Sequence, residues 1–377
     1  MKKPFIILLA MIWASCAVVL AQSGRNAAAP SKEKANQRAP QPSPTPAKPV
    51  AASNGTAGEE PASEGGIVEV DTKLVTVPAR VLDRKGRFVG GLAKENFKIY
   101  EDGVEQDIAY FTNEEQPFTV ALVLDMSYST KFKIADIQSA AIAFIDQLRP
   151  VDRVMVVSFD QDVHILSEAT NDRQRIYRAI RSTKIETGTS LYEAIDMVIN
   201  DRLKRIRGRK AVILFTDGVD TTSIRSTDLQ NLHDALEVDA LVYPIHYDTY
   251  ADVQAMKNGG VILKPRGTLG LPVPTVIGPA SSRGTSAEDY RRAKEYLEQL
   301  AARTGGAIYE ANTLGYLNNA FSRIASELRE YYSLGFYPTD VQEGRQRKLK
   351  VKVDKPDLAV RAKDSYIVAR QKPRKLT

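Results

Sequence analysis

The chain has 377 residues, 43% of them hydrophobic, and a formal charge of +6. That allows one large domain with extensions, or two domains, around a packed core. A single cysteine, Cys16, excludes a disulfide scaffold and a thiolate metal site, so an ion must be held by oxygen or imidazole.

Lys2 and Lys3 precede an apolar run from Phe5 to Leu20, and Val19-Leu20-Ala21 is a small-residue cleavage signal before Gln22. Residues 1–21 read as a secretory signal peptide. An uncleaved anchor is the runner-up, although the run is short for a full span. A lipid on Cys16 is a weaker alternative, because Trp13 fits a lipobox badly. The expected location is therefore exported: periplasmic, cell-envelope or secreted. Residues 22–65 are rich in Ala, Pro, Ser and Gly and read as a disordered linker.

A β pattern begins at 66–115. Val68, Val70, Leu74, Val75, Val77, Ala79 and Val81 broadly alternate, Phe97–Tyr100 reads as a strand, and Asp102-Gly103 as a turn. From 116 to 330 strands alternate with helices. Val120–Leu124, Arg153–Phe159, Ala211–Phe215 and Ala240–Ile245 read as strands, with Asp162–Leu166 as an edge strand. Helical spacing marks 134–148, 172–182, the segment around Leu191–Ile199, Asp228–Glu237, Glu288–Thr304 and Leu314–Leu328. Ala307–Tyr309 reads as a short last strand. Residues 250–285 have little periodicity and take no assignment. Over 331–370, Tyr331–Tyr337, Arg347–Val353 and Leu358–Val368 read as strands again. The fold expected is α/β: a doubly wound, mostly parallel, Rossmann-like sheet inserted in, or flanked by, a small β-sandwich built from 66–115 and 331–370.

Chemistry concentrates at strand ends. Asp125-Met126-Ser127-Tyr128-Ser129 follows the first buried strand, and Thr216-Asp217-Gly218 follows a later one. Gly188-Thr189-Ser190-Leu191 opens a helix between them. Carboxylates with nearby hydroxyls form an oxygen-rich cup suited to a hard divalent cation. Taken singly, these residues are equally helix caps and turn formers: Asp125 and Ser127 before one helix, Thr189 or Ser190 before another, Asp217 and Asp220 in the turn after a strand. Together and in this order they resemble the von Willebrand factor A (vWA) domain family and its metal-ion-dependent adhesion site (MIDAS), over roughly residues 117–330. The resemblance implies that Asp125, Ser127, Ser129, Thr189 and Asp217 gather around one Mg²⁺ or Mn²⁺. It also implies that an open coordination position takes an exposed Asp or Glu of a protein partner. Val75–Gly91 and Tyr331–Pro338 resemble flanking segments of exported bacterial A-domain proteins described chiefly in Acidobacteria.

Enzyme signatures are missing. Ser127 stands where an Asp-x-Asp phosphohydrolase has its second carboxylate. The sequence contains neither a nucleotide-binding Gly-x-x-x-x-Gly-Lys loop nor a Gly-x-Ser-x-Gly elbow. His164, His233 and His246 fall in separate elements, of which His246 ends a strand near the crevice. No recognised nucleic-acid motif accompanies the mild charge. The expected function is a metal-dependent protein-binding module of adhesion type. It has no small-molecule substrate and no nucleic-acid partner. The alternatives are an envelope protein whose metal only stabilises the fold, and a metal-dependent hydrolase.

Overall fold

Strand β1 (Val75–Leu82) points Val77, Ala79 and Val81 inward at period two. In this computed structural model it is the first element of the described residues, which are 74–114, 116–128, 134–257, 284–338, 342 and 344–368. The expected signal peptide, linker, Ser129 and most of 250–285 lie outside them. β2 (Phe97–Glu101) and β3 (Val104–Gln106) form a hairpin. Its two turn residues, Asp102 and Gly103, both have positive φ, at 49° and 91°. That is the type I′ geometry whose twist matches the flanking strands, and it accounts for the Asp-Gly pair. β4 (Tyr110–Thr112) follows.

The α/β unit then begins with β5 (Phe118–Asp125), in which all eight residues are buried. An unbroken apolar strand of this kind is covered on both faces. Next come α1 (Ile134–Gln147), β6 (Arg153–Phe159), β7 (Val163–Thr170), α2 (Arg173–Arg181) and α3 (Leu191–Asp196), which runs on through a wider turn at Met197–Arg202. β8 (Arg209–Thr216), α4 (Asp228–Glu237), β9 (Leu241–His246), α5 (Tyr250–Lys257), α6 (Ala287–Thr304), β10 (Tyr309–Glu310) and α7 (Leu314–Glu327) complete it. The strands order as β10-β9-β8-β5-β6-β7, all parallel except β7. One face buries Ile137, Phe144, Ile176 and Phe321 from α1, α2 and α7. The other buries Leu191, Leu232 and Leu297 from α3, α4 and α6. The fold is thus a mixed α/β architecture around a mostly parallel sheet.

β11 (Tyr332–Phe336), β12 (Gln346–Val353), β13 (Ala359–Ala362) and β14 (Ser365–Ile367) return to the first strands. They build two antiparallel sheets, β13-β1-β11-β4 and β14-β12-β2-β3, each mixing strands from both flanks. Val77, Ile99, Leu334, Leu349 and Tyr366 share one core between them.

Two readings of the sequence need correction. Leu358–Val368 is not one strand: the chain turns at Lys363-Asp364 and changes sheets, β13 pairing with β1 and β14 with β12. The turn is fixed by the Leu349 N–H, which donates to the Asp364 carbonyl at 2.7 Å. The unassigned stretch after β9 opens with a helix, α5, anchored where the Val253 N–H donates to Thr249 O at 2.9 Å.

Candidate functional site

The central sheet reverses direction at β5. The chain leaves β5 toward β6 and reaches its other neighbour only at β8. Open α/β sheets hold ligands in the crevice at the carboxyl ends of such a pair. Asp125 is the last residue of β5 and Asp217 directly follows β8; they are 0% and 1% exposed.

Asp125 Oδ1 accepts the Ser127 N–H at 3.0 Å, and its Oδ2 accepts the Thr216 hydroxyl at 2.6 Å. The Ser127 hydroxyl also bonds to this carboxylate. Asp217 Oδ1 accepts the Val219 N–H at 3.0 Å, and its Oδ2 accepts the Thr249 hydroxyl at 2.6 Å. Thr249 Oγ1 in turn meets the Tyr290 hydroxyl at 2.8 Å. Each of these donors is neutral. Burial pushes the Asp125 carboxyl up to about 7, and the neighbouring charge of Asp217 pushes the same way; the Ser127 and Thr216 bonds oppose them. Ionised together, the two carboxylates repel, and a hard cation removes that repulsion. The all-oxygen donors therefore fit Mg²⁺ or Mn²⁺.

A third segment clasps the first two. Glu186 N–H donates to Met126 O at 3.0 Å, and Ser127 and Glu186 form a parallel bridge. Three residues on, Thr189 O accepts the N–H groups of Thr221 and Thr222 at 2.9 and 3.1 Å. The Thr189 N–H donates to Thr222 Oγ1 at 3.1 Å. Gly188 makes this docking feasible: its φ is +83°, and a Cβ there would lie 2.9 Å from Gln161 Cβ. Gly218 is constrained likewise, at φ +81° with a Cβ 2.9 Å from Leu297 Cδ1.

Of the five residues expected from sequence, Asp125, Ser127, Thr189 and Asp217 lie buried in three segments bonded to one another. Ser129 lies outside the described residues. Ser190 does not cap α3; its hydroxyl donates to Gln161 O at 2.7 Å and meets Thr222 Oγ1 at 2.8 Å. His246 engages Glu310 through Nδ1 at 2.8 Å, beside Lys294. That partnership holds the Glu310 carboxyl down, to about 2. Sequence reasoning missed Thr216, Thr222 and Thr249. Thr216 stood inside the Thr-Asp-Gly motif, but only the pairing of β8 beside β5 gives its hydroxyl a role.

Residues 120–219 match the von Willebrand factor type A domain model. An uncharacterized protein of Synechocystis sp. is 34% identical over 106 residues, 27% of this chain and 25% of that protein. The chain thus spans about a quarter of the length of the curated relative it matches. Among solved structures, BatB from Bacteroides thetaiotaomicron is 17% identical, with 56% of this chain and 98% of that one covered, at a TM-score of 0.40. A von Willebrand factor type A protein from Catenulispora acidiphila is 9% identical, with 80% and 76% covered, at 0.38. The pilus adhesin SpaC from Lactobacillus rhamnosus GG is 9% identical, with 75% and 49% covered, at 0.40. At such scores no functional statement rests on these likenesses.

Proposed function

We propose that the chain is an exported, metal-dependent protein-binding module of adhesion type and not an enzyme. Asp125, Ser127, Ser129, Thr189 and Asp217 would hold one Mg²⁺ or Mn²⁺. The bound cation supplies an open position for the carboxylate of a partner's Asp or Glu. Ser127 brings a neutral oxygen, and Asp125 and Asp217 bring the charge that makes the cup selective for cations. The observation that carries this reading is the pair of buried, mutually repelling carboxylates at the switch point of the sheet. Export rests on the leader-like residues 1–21; among the described residues no helix is long and apolar enough to cross a membrane.

Calorimetry on the full chain tests the site. Asp125→Ala is expected to abolish Mg²⁺ and Mn²⁺ binding with an unchanged circular dichroism spectrum, and unaltered affinity would refute it. A pull-down from cell-envelope extract should release acidic partners in chelator. Capture that persists in chelator would instead assign the metal a structural role. Phosphatase turnover that vanishes in Asp125→Ala would assign a hydrolase.

A further inference from the structure

We infer that the outer face of the sheet β14-β12-β2-β3 is a binding cleft for a linear acidic polysaccharide. β12 alternates strictly at its start: Arg347 and Leu349 are buried, while Lys348, Lys350 and Lys352 are exposed. Period two sets these three side chains on one face at intervals of about 6.6–6.8 Å. Pairing with β2 adds Tyr100 opposite Lys350 and Lys98 opposite Lys352. The three lysines and Tyr100 line a cleft of about 570 Å³.

Cross-strand repulsion works against this arrangement. Like charges directly opposite each other across an antiparallel pair destabilise it, and Lys352 faces Lys98. Lysines commonly blunt edge strands; β14 pairs only with Gln346–Lys348 and β2 only with Leu349–Val353, so blunting accounts for lysines along β12 but not for their convergence with Tyr100 on one cleft. Among the described residues no carboxylate pairs with the side chain of Lys348 or Lys350, while Asp102 Oδ1 accepts the Lys348 backbone N–H at 2.9 Å. Lys98 meets Glu105 at 3.7 Å, and Lys352 Nζ sits 4.9 Å from the centre of the Tyr100 ring. Asp364 is the acid in the lining, and nearby Asp102 is engaged by Arg347 at 3.7 Å.

Shape and chemistry select among polyanions. A bilayer is flat, whereas this site is concave. Single-stranded nucleic acid needs a free aromatic platform for its bases, and Lys352 already sits over Tyr100. A row of point charges on flexible stems asks only for repeated anions along an extended chain. A polymer of uronate sugars supplies them.

The test uses the full chain and polygalacturonate in chelator, which removes any contribution from the metal cup. This separates failure of the cleft from failure of the cup. Binding is expected, weakening as salt rises. Lys348→Glu with Lys350→Glu should weaken it by about tenfold or more at low salt. Arg205→Glu with Arg207→Glu, the same change in net charge in another basic segment, should leave it within about twofold. If the double Glu variant does not fold, Lys348→Gln with Lys350→Gln reads the same loss in smaller measure. The inference is overturned by absence of binding, by equal loss in the two double variants, or by tighter binding of a thymidine oligonucleotide or of anionic vesicles titrated alongside.

Discussion

Replacing Asp125 by Asn should stabilise the metal-free protein at neutral pH while abolishing its response to Mg²⁺. The Asp125 carboxyl titrates near 7 when folded, against 3.8 as its ordinary value, because burial and the Asp217 charge both oppose ionisation. Between those values the folded state holds a proton that the unfolded state has lost. Stability in chelator must therefore fall as pH rises through that window, and the full cost appears only above pH 7. For one carboxyl this is on the order of 3–4 kcal/mol by pH 8. Asn keeps an oxygen for the Ser127 N–H. Its amide faces Thr216 Oγ1, which already accepts the Gly218 N–H at 3.0 Å and retains a second acceptor position. The weakened bond costs about 1 kcal/mol, so the variant should gain roughly 2–3 kcal/mol over wild type at pH 8 and little or nothing at pH 5. Urea unfolding of both proteins in chelator at the two pH values measures the difference directly. If wild type keeps pace with the variant from pH 5 to pH 8, the buried-charge reasoning is refuted. In Mg²⁺ at about a hundred times its dissociation constant, wild type alone should gain about 2.7 kcal/mol.

Two further outcomes follow from the same geometry. Thr216→Val and Thr249→Val each remove a hydroxyl that donates to a cup carboxylate at 2.6 Å. Each should weaken Mg²⁺ affinity by about 10–100-fold by calorimetry, with substantial recovery in the Ser variants; unchanged affinity would show that these bonds do not position the carboxylates. Glu327→Ala strips a buried carboxylate from Arg80 at 2.8 Å, from Arg361, and from the Tyr309 hydroxyl at 2.5 Å. It should cost about 3–5 kcal/mol in urea unfolding, and a loss below about 1 kcal/mol would make the cluster incidental.

Much of the fold is readable because its periods are unambiguous. Val120–Leu124 is a continuous apolar run, and β12 alternates Lys with Leu or Val, so each announces its burial without a partner in view. The Asp102-Gly103 turn is equally explicit, since few other pairs accept positive φ twice. The split of Leu358–Val368 is not readable, because both halves have strand character and the corner between them is set by a hydrogen bond from Leu349, a residue of another strand. α5 escapes for a different reason: its helix lies beside a Gly- and Pro-rich stretch and lacks a clear apolar stripe. At the cup, motif order points to Asp125, Ser127, Thr189 and Asp217. Thr249 is invisible in sequence because its role depends on how β9 delivers the chain beside β8, where Thr216 pairs with His246.

The pairing of β4 with β11 bears on how the cup is presented. The α/β unit leaves the flanking sheets after Thr112 on β4 and rejoins them at Tyr332 on the adjacent β11. From there β5 runs out to Asp125, about 23 Å along the strand from Phe118. β10 pairs with the carboxyl end of β9, so α7 starts at the cup end of the sheet. It returns over 14 residues, about 21 Å, to Glu327. Glu327 is gripped there by Arg80 of β1 and Arg361 of β13, one on each of two neighbouring strands. The two lengths match, so one helix spans the unit from the cup to the flanking sheets and is fastened by a buried ion cluster at its far end. Sliding α7 along its axis would pull a buried carboxylate away from two guanidinium groups. The sheets that enclose the α/β unit in sequence thereby act as its brace.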